Sequence, residues 1–195
     1  KFTDFYTLLQ IILITMKITI RPAQKEDAEL IAIVVTSAIN TEEGNSLFPI
    51  FLELAQMEHS QYSYNNTLVA EVDGKAAGAI VGYDGAKLHE LRTPLLELIR
   101  RQRGESFEIE EETSAGEFYL DSIAVLPPYR GLGVGEKLLT SMIQKASKFG
   151  HTCIGLLVDE ENPRAEKLYQ KIGFQRKNPT TFLGHKMWHL QLSTL

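Results

Sequence analysis

The stretch 117–135 constrains the fold more than any other, because it holds a strand, a glycine turn and a helix in direct succession. Residues 118–126 are mostly apolar and rich in β-branched and aromatic side chains, which predicts a largely buried strand. Two prolines then end this strand, since proline cannot donate a hydrogen bond to a neighbouring strand. From Val134 to Phe149, apolar residues recur at the spacing of one helical face. A helix therefore begins directly after the turn.

Three glycines, Gly131, Gly133 and Gly135, lie where this helix begins. They leave backbone N–H groups uncovered at the positive end of the helix dipole, which favours binding of a phosphate or pyrophosphate. The spacing is not the dinucleotide pattern G-x-G-x-x-G, because position 136 is Glu, and the turn lacks the G-K-S/T ending of a P-loop. A glycine-rich connector that binds no ligand is the alternative that these residues leave open.

The rest of the chain alternates between strand and helix patterns. Two apolar runs, 67–72 and 75–83, are joined by Asp73-Gly74, which predicts a tight antiparallel hairpin. Pro94 is expected to start a new helix within a helical pattern, and Asn178-Pro179 to form the loop between two closing strands. The alternation predicts the α/β class, with a mixed central sheet and helices on both faces.

The length predicts a single domain, which we place at 16–195 with a variable helical and acidic segment at 84–116. Met16 opens what looks like the first strand, so we expect residues 1–15 to be an upstream or non-native extension. The apolar part of that extension, 8–14, is far shorter than the ~20 residues that span a bilayer. No membrane partner is therefore expected.

Two motifs carry a resemblance to a known family. The residues after the first strand are Arg130-Gly131-Leu132-Gly133-Val134-Gly135, which resemble the acetyl-CoA signature Q/R-x-x-G-x-G/A of the GCN5-related N-acetyltransferases, the GNAT family. Residues 162–174, Asn-Pro-Arg-Ala-Glu-Lys-Leu-Tyr-Gln-Lys-Ile-Gly-Phe, are similar to the second motif of that family. The resemblance is strong over 118–174 and rests on pattern alone over 16–83. Two motifs in the right order are more specific than either alone.

The resemblance implies the GNAT fold and acetyl-CoA as co-substrate. In that fold the strand at 118–126 and the strand ending near Val158 splay apart around the pantetheine arm. By the same resemblance, backbone groups of Ile123 and Val125 bind the pantetheine amides. The residues from Arg130 to Gly135, which we call the glycine loop, cradle the pyrophosphate. The residues expected to bind acetyl-CoA are Ile123, Ala124, Val125, Arg130, Gly131, Leu132, Gly133, Val134, Gly135, Asn162 and Tyr169.

Acetyl transfer to an amine requires a base, because an ammonium group with a pKa near ~10 is a poor nucleophile at neutral pH. Asp121 and Glu117 lie four residues apart in an extended segment and hence on one face. We expect Asp121 first and Glu117 second, directly or through water, to take the proton. Tyr119 shares this face, where it either packs or binds substrate.

The resemblance implies that Tyr169 lies beside the CoA sulfur and protonates the departing thiolate. From the pattern alone, Tyr169 is an ordinary packed tyrosine on the inward stripe of its helix. Asn162 is likewise explained by helix capping, with Pro163 at the first helical position.

Charge and cysteine content exclude several classes of function. The net charge of −5, without a dense basic cluster, argues against a nucleic-acid binder. The lone cysteine, Cys153, excludes an intrachain disulfide and favours a reducing, cytoplasmic location. Cys153 and the five histidines show no paired metal spacing, so no metal site is expected. The resemblance is compatible with a homodimer.

The acidic run 105–117 has two interpretations. It is either a solvated loop or a border of the acceptor channel that raises the local concentration of a cationic amine. The first expectation for function is an N-acetyltransferase acting on the primary amine of a small molecule. The alternatives are acetylation of a protein N-terminus or lysine, and a non-catalytic acyl-CoA-binding module.

Overall fold

The computed structural model describes residues 16–39, 44, 46–104 and 108–195; the expected extension 1–15 and Glu105 lie outside them. The strands are β1 Ile18–Pro22, β2 Thr67–Val72, β3 Lys75–Asp84, β4 Phe118–Val125, β5 Cys153–Asp159, β6 Gln175–Phe182 and β7 His185–Ser193. In the described part of the chain they form one sheet in the order β1-β2-β3-β4-β5-β7-β6. The pair β4–β5 is parallel and the other neighbours are antiparallel, so the expected mixed sheet is confirmed.

Helices cover both faces of this sheet. In the part of the chain that the structure describes, the α-helices are α1 Ala28–Ile39, α2 Phe48–Ala55, α3 Leu88–Arg103, α4 Val134–Lys148 and α5 Pro163–Ile172, and short 3-10 turns occupy Lys25–Asp27, Tyr64–Asn66, Gly85–Lys87 and Pro127–Tyr129. The helices α1, α2 and α3 share one buried core, whereas α4 and α5 contribute to a second. In the described ranges no helix is long and apolar enough to cross a membrane.

Two local predictions about proline are wrong. Pro94 does not start a helix but lies inside α3, which continues through it. The apolar stripe of α3, with Leu91, Leu95 and Leu98 buried, outweighs the one backbone hydrogen bond that proline removes. Pro179 lies within β6, an edge strand, where a missing N–H donor is tolerated.

The turn between the last two strands lies further on than predicted. It is formed by Leu183 and Gly184, which both have positive φ, 49° and 79°. The predicted hairpin at Asp73-Gly74 is confirmed, because both residues have positive φ and join β2 to β3.

Two irregularities in β4 create the space for a site. The first is a short contact with β5, which pairs in register at Phe118 with Ile154 and at Tyr119 with Gly155. Beyond these positions the two parallel strands part and leave a wedge. The second is a β-bulge opposite β3, where Asp121 is the extra residue between two consecutive pairs of the ladder. A bulge redirects a side chain, and here that side chain is a carboxylate at the mouth of the wedge.

Candidate active site

A cavity of about 890 Å³ opens at the wedge between β4 and β5. Asp121 and Ile123 line it from β4, and Val158 lines it from β5. Asn162 and Tyr169 line it from α5 and its N-terminus. The fold therefore brings the expected base and the expected acid to one cavity, although they are far apart in sequence.

The glycine loop does not line this cavity but lies beyond the end of β4. Gly131 and Gly133 have positive φ of 80° and 83°, and no atom lies within 4 Å of the position that a Cβ would take at either residue. Gly133 directly precedes α4. Arg130 is held back against the strand, because its Nε donates to the carbonyl oxygen of Val125 at 3.0 Å. The loop thus presents bare backbone at a helix N-terminus, as anion binding requires.

Of the other residues expected to bind acetyl-CoA, Ala124 and Val125 pack into the two opposite cores rather than line the cavity. Asn162 caps α5, since its Oδ1 accepts from the N–H of Ala165 at 3.1 Å. The capping interpretation from the sequence is therefore confirmed.

Asp121 is held by three hydrogen bonds. Its Oδ2 accepts from Gln61 Nε2 at 3.0 Å and from Tyr83 Oη at 2.9 Å, and its Oδ1 accepts from Ser122 Oγ at 2.7 Å. Burial raises the pKa of Asp121, against the opposing effect of these hydrogen bonds and of the nearby Arg92 charge. A carboxylate with a raised pKa that faces a cavity is well suited to accept a proton.

A second carboxylate shares the partners of Asp121. Glu112 Oε1 accepts from Gln61 Nε2 at 2.7 Å and lies 2.9 Å from Tyr83 Oη, whose single proton serves either Glu112 or Asp121. Its other oxygen forms a buried ion pair with Arg92. Among the buried side-chain polar atoms of the described residues, Gln61 Oε1 and Arg92 Nε have no hydrogen-bond partner. We call these five residues, Gln61, Tyr83, Arg92, Glu112 and Asp121, the polar cluster.

Sequence reasoning did not find the polar cluster, apart from Asp121. Its five members come from five separate segments and match no motif, so their meeting depends on the tertiary fold. One signal was present, because Arg92 lies on the buried stripe of α3 between Leu91 and Leu95. A charged residue on an apolar helical face is rarely buried without a partner.

Glu117 lies apart from Asp121. Its Oε1 accepts from Thr113 Oγ1 at 2.7 Å, and its Oε2 lies 3.0 Å from His189 Nε2 and 2.9 Å from Gln191 Nε2. Burial raises the pKa of Glu117, but the hydrogen bonds from these residues outweigh it and the pKa is lowered. Glu117 borders a smaller cavity of about 210 Å³ and does not line the larger one.

Of the described tyrosines, Tyr62, Tyr119 and Tyr169 line the larger cavity. Tyr119 packs against Tyr83, with ring centroids 5.9 Å apart, and also contributes to the cavity wall. Tyr169 is 8% exposed and lies edge-on to Phe174 at 6.0 Å. Burial raises the pKa of Tyr169 to about 12, so the phenol is protonated at neutral pH. Tyr169 is thus both a packed core residue and a neutral hydroxyl at the cavity.

Residues 36–174 match the family model described as acetyltransferase (GNAT) family. The chain belongs to the GNAT family. A solved acetyltransferase structure is 33% identical to this GNAT chain and has a TM-score of 0.76; the match covers 91% of this chain and 100% of that one. Within the described residues no group of three or more His, Cys, Asp or Glu could hold a metal ion.

Curated relatives match over shorter stretches. The spermine/spermidine N(1)-acetyltransferase of Bacillus subtilis strain 168 is 34% identical over 82 residues, which is 41% of this GNAT chain and 53% of the relative. The mycothiol acetyltransferase of Paenarthrobacter aurescens is 28% identical over 163 residues, 84% of this chain and 43% of the relative. The chain spans about half the length of the curated relatives it matches.

Proposed function

We propose that the chain transfers the acetyl group of acetyl-CoA to a primary amine of a small molecule, with Asp121 as base and Tyr169 as acid. The observation that carries this proposal is that Asp121 and Tyr169 line the same cavity, where β4 and β5 part. Membership of the GNAT family supports the reaction class. The names of the relatives acting on spermine, spermidine and mycothiol support a small acceptor.

The residues present fit acetyl-CoA. Bare backbone at Gly131 and Gly133 allows a pyrophosphate to approach the N-terminus of α4. Beyond Tyr119 the pairing of β4 with β5 ends, and the backbone groups of Ile123 and the N–H of Val125 would bind the pantetheine amides there, since the Val125 carbonyl already accepts from Arg130. Acetyl-CoA supplies an activated acetyl group at the end of that arm.

Asp121 begins the reaction by taking one proton from the ammonium group of the acceptor. The neutral amine then attacks the acetyl carbonyl, so that an N–C bond forms and the C–S bond breaks. Tyr169 donates its hydroxyl proton towards the departing sulfur and regains a proton that the new amide nitrogen releases. In net terms, one ammonium proton ends on the thiol and one reaches solvent through Asp121.

The high pKa of Tyr169 does not conflict with its role as an acid. A free thiol has a pKa of ~8.5, well below about 12. However, a thiolate beside Tyr169 would occupy the same buried surroundings, which raise the pKa of a thiol as they raise that of the phenol. The two pKa values therefore approach each other within the site.

Thiol release from acetyl-CoA, measured with a panel of small amines and with peptides bearing free N-termini or lysines, tests the proposal. Turnover of small amines that Asp121→Asn and Tyr169→Phe both lower supports it. Turnover of peptides alone would favour a protein acetyltransferase. Calorimetric binding of acetyl-CoA without turnover of any acceptor would favour an acyl-CoA-binding module.

A further inference from the structure

Tyr62 has a buried hydroxyl that no described residue pairs with. The residue is 8% exposed and lines the larger cavity. In the described ranges, the fully buried polar side-chain atoms without a partner are Gln61 Oε1 and Arg92 Nε. Tyr62 Oη is not one of them, so it keeps accessible surface, and the cavity is the space that it faces. An unpaired hydroxyl at a buried cavity wall indicates a ligand that hydrogen-bonds to it.

The segment that carries Tyr62 is fixed without help from this hydroxyl. Ser60 and Ser63 flank it and are fully buried. Each donates its Oγ to a backbone carbonyl oxygen at or just past the end of α2, at 2.7 and 2.6 Å. The ring of Tyr62 packs edge-on against Phe51, with ring centroids 5.2 Å apart. The hydroxyl is therefore held at the cavity wall before any ligand arrives.

Tyr62 lies close to the proposed base. The residue before it, Gln61, donates its Nε2 to Asp121. Burial raises the pKa of Tyr62 well above its ordinary value, and the charge of Asp121 raises it further, against the opposing effect of Arg92. The phenol thus stays protonated at neutral pH and does not compete with Asp121 for the proton of an amine. Its oxygen remains able to accept a hydrogen bond.

Tyr62 and Tyr169 line the cavity from opposite faces of the sheet. Tyr62 packs in the core that α1, α2 and α3 share, whereas Tyr169 packs in the core of α4 and α5. The glycine loop leads into α4, so acetyl-CoA bound there reaches Tyr169 on its own side of the sheet. The side of the cavity that is left to the acceptor is the side that Tyr62 lines.

We propose that Tyr62 binds the acceptor: the amine enters on the side of α1, α2 and α3, and Tyr62 Oη accepts a hydrogen bond from the nitrogen whose proton Asp121 takes. This inference rests on the proposed function and adds an acceptor-binding residue to it. A primary ammonium group brings three N–H donors, so two remain after Asp121 has taken one proton. Tyr62 holds one of them and leaves the nitrogen lone pair free to attack. Tyr62 itself neither gains nor loses a proton.

A matched pair of variants tests the contact. Tyr62→Phe removes the hydroxyl and keeps the ring that packs against Phe51. Tyr64→Phe is the control, because Tyr64 belongs to the turn that follows and does not line the cavity. With butylamine as the acceptor in thiol release, Tyr62→Phe should lower kcat/KM about tenfold or more, mainly through KM, since a hydrogen bond from a charged donor is lost. KM for acetyl-CoA and the activity of Tyr64→Phe should stay normal. An unchanged kcat/KM in Tyr62→Phe would overturn the inference.

Thermal unfolding separates binding from a structural role. Because the Tyr62 hydroxyl has no partner among the described residues, Tyr62→Phe should leave the melting temperature unchanged. Tyr83→Phe is the reference for a paired hydroxyl, since Tyr83 Oη lies 2.9 Å from both Asp121 and Glu112. It should lower the melting temperature by about 2–4 °C. An equal loss in Tyr62→Phe would show that its hydroxyl bonds within the protein, which would overturn the inference.

Equilibrium binding separates the inference from the proposed function. Calorimetry with the protein saturated with CoA compares butylamine with butyltrimethylammonium, which carries the same charge but no N–H group. We expect Tyr62→Phe to weaken binding of butylamine about tenfold and to leave that of butyltrimethylammonium unchanged. This result supports Tyr62 as the acceptor-binding residue even if no amine is acetylated, in which case the proposed function fails. Unchanged affinity for butylamine, an equal loss for both cations, or no binding of butylamine to the unmodified protein would overturn the inference.

Discussion

The carboxylate of Glu117 lies over Gly155, in the space that a Cβ on Gly155 would fill. Glycine at this position in β5 therefore admits the carboxylate, which reaches His189 and Gln191 on β7 across it. The relationship ties the start of β4 to β7 at the closed end of the wedge.

Gly155→Ala should displace Glu117 and break these bonds. We expect the free energy of unfolding to fall by about 1–3 kcal/mol, as for other buried groups left without partners. Urea denaturation measures the loss. In a Glu117→Ala background the same substitution should cost much less, since no carboxylate has to move. An equal cost in both backgrounds would contradict the assigned contact.

Gly133→Val should weaken acetyl-CoA binding by about tenfold or more, on the order of 1.4 kcal/mol. Gly133 has a φ of 83°, which a residue with a β-branched side chain adopts only with strain. The valine side chain would also cover the bare backbone of the loop. Gly150→Val is the matched control, since its φ of 89° imposes similar strain at the far end of α4. Calorimetry should show normal affinity for the control, and equal affinity in both variants would exclude the loop as the pyrophosphate site.

Asp121→Asn should lower kcat by about 10²-fold or more while acetyl-CoA affinity is retained. In the unmodified enzyme, the base must be ionised, and burial raises its pKa. The rate should therefore fall as pH drops through a value above the ordinary pKa of ~3.9 for Asp, and this acidic limb should vanish in the variant. A variant with a normal rate and an unchanged pH profile would argue against Asp121 as the base.

The same pKa shift affects stability with a definite sign. A folded-state pKa above the unfolded one stabilises the fold below the unfolded pKa, and this contribution is lost as pH rises through the folded pKa. Asp121→Asn should therefore flatten the pH dependence of the free energy of unfolding over that interval. Urea titrations at a series of pH values measure it, and an unaltered pH dependence would show that the pKa is not raised.

Tyr169→Phe should lower kcat by about 10²-fold or more and leave the melting temperature nearly unchanged, because the ring packing against Phe174 is kept. Acetyl-CoA affinity should also be retained. Normal turnover would leave Tyr169 with a packing role alone. Loss of activity that accompanies unfolding would likewise remove the support for an acid.

Arg92→Met should lower the free energy of unfolding by about 3–5 kcal/mol, because it leaves Glu112 buried without its ion-pair partner. Replacing both residues, Arg92→Met with Glu112→Leu, should recover much of that loss. Thermal and urea unfolding of the single and double variants measure the difference. If the double variant is no more stable than the single one, the loss does not come from the uncompensated charge.

Structural features that depend on a few neighbouring residues were predicted correctly from the sequence. The hairpin at Asp73-Gly74, the strand and helix around the glycine loop, and the capping role of Asn162 all follow from a few neighbouring residues. Pro94 and Pro179 were misjudged because burial of a helical stripe and an edge position override the local preference of proline.

The candidate site was less predictable than the fold. Asp121 could be named from its strand, but its bulge depends on the register with β3, and its partners Gln61 and Tyr83 are fixed by packing between distant segments. The sequence places Glu117 and Asp121 on one face of the predicted strand. In the structure, His189 and Gln191 on β7 contact the Glu117 carboxylate, which borders a different cavity. Periodicity places residues on a face and says nothing of which partner each side chain will meet there.

Tyr83 has a single hydroxyl proton and two carboxylate oxygens 2.9 Å away, one on Glu112 and one on Asp121. When Asp121 is ionised, the phenol can donate to it. Once Asp121 has taken a proton, it can itself donate to Tyr83 Oη, and the phenol proton turns to Glu112. The change of protonation is thus accommodated by rotation of one O–H bond, with no heavy atom displaced. If Asp121 is the base, as proposed, this hydroxyl keeps the geometry around it constant as it takes and releases a proton.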